Sequence, residues 1–204
     1  MITEKKIEEE LIKAGINTNV FIIKNGIQTS ISGGLLNIKE PYPTVIPVYI
    51  DFLKNEEFES INTKEILVRM LTVKEAKGTA NDVLISEYHK YPEEGIYRFY
   101  RWAIGNAFTV IITLKDEDDI ISIVSDKNNG TSRQMFVQAL KAIKSIRVEN
   151  TLIDLLNDSD VIGHAIYALG RLKSQKAKAK IKLFLDNKSA YLRREAQKAL
   201  KKIG

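Results

Sequence analysis

The sequence predicts an all-α chain, a right-handed α-α superhelix of about five helix pairs, and three observations carry that prediction. First, SRQMFVQALKAI (132–143), VIGHAIYALGRL (161–172) and LRREAQKALKKI (192–203) superpose with Ala139, Ala168 and Ala199 in one column, each followed by leucine, at intervals of 29 and 31 residues. A period of that size marks stacked helical repeats. Second, two weaker copies precede them: Ala103-Ile104 lies 36 residues before Ala139-Leu140, and Met70-Leu71 lies 33 residues before Ala103-Ile104. Third, the segments TVIPVYIDFLK, TANDVLISEYHK, DEDDIISIVSD, ENTLIDLLND and KAKIKLFLDN run between the copies with apolar residues at helical spacings. Asn/Asp/Ser/Gly punctuation such as DKNNGTS, NDSD and DNKS separates the helices and supplies N-caps.

Taken in order, MITEKKIEEELIKAG reads as a charged amphipathic helix from Thr3 to Ala14. The next stretch, VFIIKNGIQTSI, sets Asn25-Gly26 between two β-type runs, a type I′ hairpin signal. A lone hairpin is marginally stable, so it is expected to lean on the first repeats. Residues 1–41 are therefore expected to form a helix-and-hairpin cap, and residues 42–204 the repeat array, within a single structural domain. In the aligned helices the columns three before and one after the shared alanine hold Leu67, Tyr100, Phe136, Ala165, Ala196 and Leu71, Ile104, Leu140, Leu169, Leu200, which makes them the core stripe. The column just before the alanine holds Arg69, Trp102, Gln138, Tyr167 and Lys198, a mostly polar and outward set. Trp102 is accordingly expected at the surface or laid over a neighbouring helix. Arg101 stands where the other copies have Val68, Val137, Ile166 and Gln197. The aromatic and basic stretch YRFYRWAIGNAF thus reads as one repeat helix with two exceptions, since a base-stacking platform needs several exposed rings.

Composition bounds the chemistry. A chain of 204 residues with 44% hydrophobic content can build a continuous core unaided. Having no cysteine, it forms no disulfide, thiolate zinc site or cysteine nucleophile. No apolar run approaches a membrane span, so a cytoplasmic protein without a membrane partner is expected. Phosphate-loop spacings and a serine nucleophile elbow are absent. The acids Asp116 to Asp119 sit at a predicted helix N-terminus, where the helix dipole favours them without any cation. The net charge of +5 is unevenly spread: from Arg171 to Gly204 twelve Lys/Arg face two acids, leaving −5 for the rest. Such a split marks a docking surface for an acidic partner or a soluble polar end. Lys176, Lys178, Lys180, Lys182, Arg193 and Arg194 are the candidate contact residues there, with Arg98, Arg101 and Trp102 from the aromatic stretch.

The run ALGRLKSQKAKAKIKLFLDNKSAYLRREAQKALKKIG, with its Asp/Asn-punctuated turn, LRR and A-x-x-AL signature, resembles the HEAT-like repeats also found in phycobilisome lyases. Roughly residues 42–204 fit that pattern, and they look more like bacterial HEAT-repeat proteins without an assigned role than like any enzyme. The resemblance implies a binding surface on the concave side, lined by the second helix of each hairpin, here the TVIPVYIDFLK-type set. Two enzymatic relatives of this fold do not carry over. Di-iron deoxyhypusine hydroxylases use paired His-Glu motifs, whereas His164 precedes Ala165 and His89 precedes Lys90. HEAT-like DNA glycosylases use several exposed tryptophans with an aspartate, whereas Trp102 stands alone and is followed four residues on by Asn106. The expectation is a non-catalytic scaffold that needs no cofactor and binds a macromolecule, a protein first. Nucleic acid held by the basic C-terminal repeats is the alternative, and a glycosylase-like activity the most remote one.

Overall fold

Helices account for nearly all the regular structure in the computed structural model, which describes residues 1–18, 23–24, 27–28 and 38–204. Eleven α-helices form among the described residues: α1 (Glu4–Lys13), α2 (Ile46–Asn55), α3 (Ile61–Met70), α4 (Asn81–His89), α5 (Gly95–Ile111), α6 (Glu117–Ser125), α7 (Gln134–Ala139), α8 (Ile146–Asp154), α9 (Ile162–Leu172), α10 (Lys178–Lys182) and α11 (Ala190–Ile203). From α2 onward they alternate between the two expected sets. Each copy of the shared alanine helix (α3, α5, α7, α9, α11) follows one partner segment (α2, α4, α6, α8, α10), making five pairs.

The chain divides into two compact units, Met1–Ile111 and Ile112–Gly204. In the first, α3 packs on α5 and α2 on α4. In the second, α9 lies between α7 and α11, and α6 packs on α8, so like helices stack in two layers. Hydroxyl caps start several helices: Thr3, Ser60, Ser145 and Ser189 accept from the amides of Lys6, Thr63, Val148 and Leu192. Each satisfies one of the first-turn N–H groups that lack an intrahelical acceptor. Ahead of α6, Thr113 and Asp116 form a reciprocal capping box, and Glu117, Asp118 and Asp119 fill the first turn of the helix, as their position near its positive end favours.

The repeat columns predict burial at every copy except at one position of the last, where Leu200 is half-buried while Leu71, Ile104, Leu140 and Leu169 of its column are buried. Leu67, Tyr100, Phe136, Ala165 and Ala196 are all buried, as are Met70, Ala103, Ala139, Ala168 and Ala199 in the alanine column. Close helix approach explains the small residues. A Cβ added at Gly170 would lie 2.6 Å from the Ala199 Cα, so α9 and α11 meet almost backbone to backbone. Lys173 ends α9 in the left-handed conformation, with φ 57° and ψ 40°, a position usually given to glycine.

Two expectations need correction. Between α1 and α2 the described backbone amounts to a two-residue antiparallel pairing, Ile23–Lys24 with Ile27–Gln28. Asn25 and Gly26 lie outside the described residues, and a hairpin cap over the repeats is not supported. In the NDSD turn, Asp158 provides no side-chain cap to α9. Its carboxylate pairs instead at 2.8 Å with Arg133, a fully buried guanidinium that also donates to the carbonyls of Val124 and Gly130 at 2.9 and 2.8 Å. A buried cation without a carboxylate costs far more than an uncapped helix end, which is why the pairing wins.

Candidate functional site

The predicted contact residues separate into structural and surface groups. Arg101 belongs to the first, which corrects its assignment as a partner contact: it is only 4% exposed, stacks 4.0 Å above the Tyr88 ring and pairs with Glu93 at 3.3 Å. Its column demands burial, and the aromatic face and the carboxylate supply what an aliphatic residue would not need. Trp102 is half-buried rather than surface-facing. Arg98 is exposed and also turned to Glu93, at 3.4 Å. Around the same helix lies a network that sequence reasoning did not anticipate. Glu87, completely buried, receives the Lys64 ammonium at 2.7 Å, the Lys90 ammonium at 2.6 Å and the Tyr100 hydroxyl at 2.9 Å. Burial above all, with the adjacent Glu87 charge, raises the Tyr100 phenol well above its ordinary range and keeps it a neutral donor.

An open cleft of about 450 Å³ adjoins this network, lined by Phe58, Ser60, Lys64, Tyr91 and Tyr97 with Glu56 and Glu57 among its walls. Tyr91 and Tyr97 stack with centroids 5.1 Å apart, and the Lys64 ammonium sits 5.2 Å from the Phe58 ring and 5.4 Å from that of Tyr91. Cation and carboxylates share one opening, so the cleft selects no single sign of ligand charge.

The basic C-terminal set is partly committed to the fold. The Lys178 ammonium donates to the backbone carbonyl of Gly204, and Lys176 to the Asn150 side chain. Arg193 donates to the carbonyls of Asn187 and Lys188 at 2.7 and 2.9 Å, tying down the turn before its own helix. Lys180, Lys182 and Arg194 are exposed and make no ion pair among the described residues. The structure does not gather the six into one site.

What it does gather is a group assembled from three stacked helices of the second unit. The ammonium groups of Lys141, just beyond α7, and Lys202, on α11, both lie 5.3 Å from the ring centroid of Tyr167 on α9. Arg171 follows one turn after Tyr167, and Lys198 precedes Lys202 by one turn with Glu195 at 2.8 Å. His164 sits one turn before Tyr167, and burial lowers its imidazole pKa against a smaller opposing pull from Glu195. Sequence signals for this group existed in the outward column holding Tyr167 and Lys198, but the meeting of Lys141 with Tyr167 depends on how far one helix slides along the next.

Comparison with known proteins finds a similarity over the second half of the chain. No curated protein matches the chain. The family model for HEAT repeats matches residues 117–201, the span from α6 to the last turn of α11. Helix pairing, small-residue contacts between stacked helices and this match agree: residues 117–201 are similar to HEAT repeats.

Proposed function

We propose that the chain is a non-catalytic, cytoplasmic scaffold that binds a protein partner along the exposed faces of its repeats, on the concave side of a superhelix. The match of residues 117–201 to HEAT repeats carries this reading, because such arrays serve chiefly as extended binding surfaces for other proteins. None of the described helices is long and apolar enough to cross a membrane, which accords with a partner met in water. Affinity capture from the native cell tests the reading, with the tagged chain run with and without nuclease. Protein partners that survive nuclease treatment are the expected result. Recovery that disappears with the nucleic acid would overturn it.

The charge of the last repeats favours a second reading, nucleic-acid binding, since phosphate neutralisation needs little beyond clustered lysines. The backbone contacts of Lys178 and Arg193 weaken that reading, because each engages part of its side chain's donors within the fold.

A further inference from the structure

We infer that the cluster around Tyr167 is a docking site for an acidic segment of the partner protein, with Lys141 and Lys202 as its carboxylate contacts; this rests on the protein-binding reading above. Each ammonium lies 5.3 Å from the same ring centroid, so the two are separated by no more than twice that distance. Lys141 reaches the ring from the turn after α7 and Lys202 from α11, and the ring quadrupole favours both cations. Among the described residues neither lysine has a carboxylate partner, and Glu195 is taken up by Lys198. Arg171 and Lys201 are exposed and add to the same sign of charge. Carboxylates spaced along an acidic segment laid across the ring would accept from one ammonium and then from the other.

Two features favour an acidic polypeptide over nucleic acid. The aromatic ring of the cluster is already covered by ammonium groups, which removes it as a platform for a base. The two cationic tips come from the turn after α7 and from α11 and meet at one ring rather than following a line of phosphates. An acidic side chain on a flexible segment suits a point of convergence.

The test measures binding of a short fluorescein-labelled peptide of alternating Glu and Ala by anisotropy, with labelled oligothymidylate and duplex DNA of matched charge as the competing probes. Changing Lys141→Gln and Lys202→Gln together is expected to weaken peptide binding roughly three- to tenfold, the effect of losing two surface ion pairs. Lys115→Gln with Lys127→Gln, both at exposed positions, removes the same charge elsewhere and is expected to change affinity by less than about twofold. Equal losses in the two double variants would overturn the site, as would oligonucleotide binding that exceeds peptide binding and falls only in the Lys141/Lys202 variant. The single variant Lys202→Gln, at an exposed position, gives the same readout if the double variant melts early. The nuclease-treated capture, repeated with the Lys141/Lys202 variant, separates the two ideas. Protein partners retained at wild-type levels overturn this site and leave the scaffold standing, whereas an intact chain that captures no protein overturns the scaffold itself.

Discussion

Glu87 is the residue on which the first unit is most sensitive to change. Its carboxylate is wholly buried yet answers Lys64, Lys90 and Tyr100 together, so Glu87→Gln leaves the nearly buried Lys64 ammonium without a countercharge. We expect a loss of about 3 kcal/mol, measured by denaturant unfolding, from breaking a buried pair on one side. Replacing all three buried partners with apolar residues, as Lys64→Met, Glu87→Leu and Tyr100→Phe together, is expected to recover most of that loss, since Lys90 is exposed enough to turn to water. His164 supplies a pH signature. Burial lowers its pKa in the folded chain below the ordinary value of 6.5, so the unfolded chain binds a proton more readily. The contribution of this residue is complete above that pH and declines as pH falls below it. Comparing wild type with His164→Gln between pH 7 and pH 5 by thermal melting, we expect a shallower decline in the variant; identical slopes would show that the imidazole titrates normally.

At the level of helices, the α9–α11 contact is set by Gly170. A methyl group there meets the Ala199 backbone at 2.6 Å and its Cβ at 2.7 Å, and backbone cannot rotate away as a side chain can. Gly170→Ala is therefore expected to destabilise the chain by about 1–3 kcal/mol despite alanine's better helix propensity. An unchanged melting temperature would mean that the helices separate freely. The small column was legible in advance because Ala139, Ala168 and Ala199 recur at a repeat period, and periodicity reports which face is buried without any knowledge of partners. Tyr100 was placed in the core on the same basis. Arg101 shows where such reading stops: its column declared the position internal, but its charge suggested a ligand, and the partners that reconcile the two, Tyr88 and Glu93, come from preceding segments. The NDSD turn was read as a source of caps for a similar reason, because the use of Asp158 by Arg133 of the preceding pair is a tertiary fact. The convergence of Lys141 and Lys202 on Tyr167 needed the relative slide of three helices, which no column records.

For the whole molecule, the charge split has a measurable consequence. Residues 112–204 carry a net +7 against −2 for residues 1–111, so duplex DNA should associate at low salt. With Lys178 and Arg193 engaged in the fold, we expect few phosphate contacts, a slope of log affinity against log salt shallower than about −3, and no detectable binding at physiological ionic strength. Tight binding that survives such salt and weakens with each lysine removed would favour the nucleic-acid reading. The backbone contact at Gly170 also has a mechanical meaning. Packed interiors transmit strain, and α9 and α11 have almost no side-chain layer between them at their closest point, so a push on one helix passes directly to the backbone of the other.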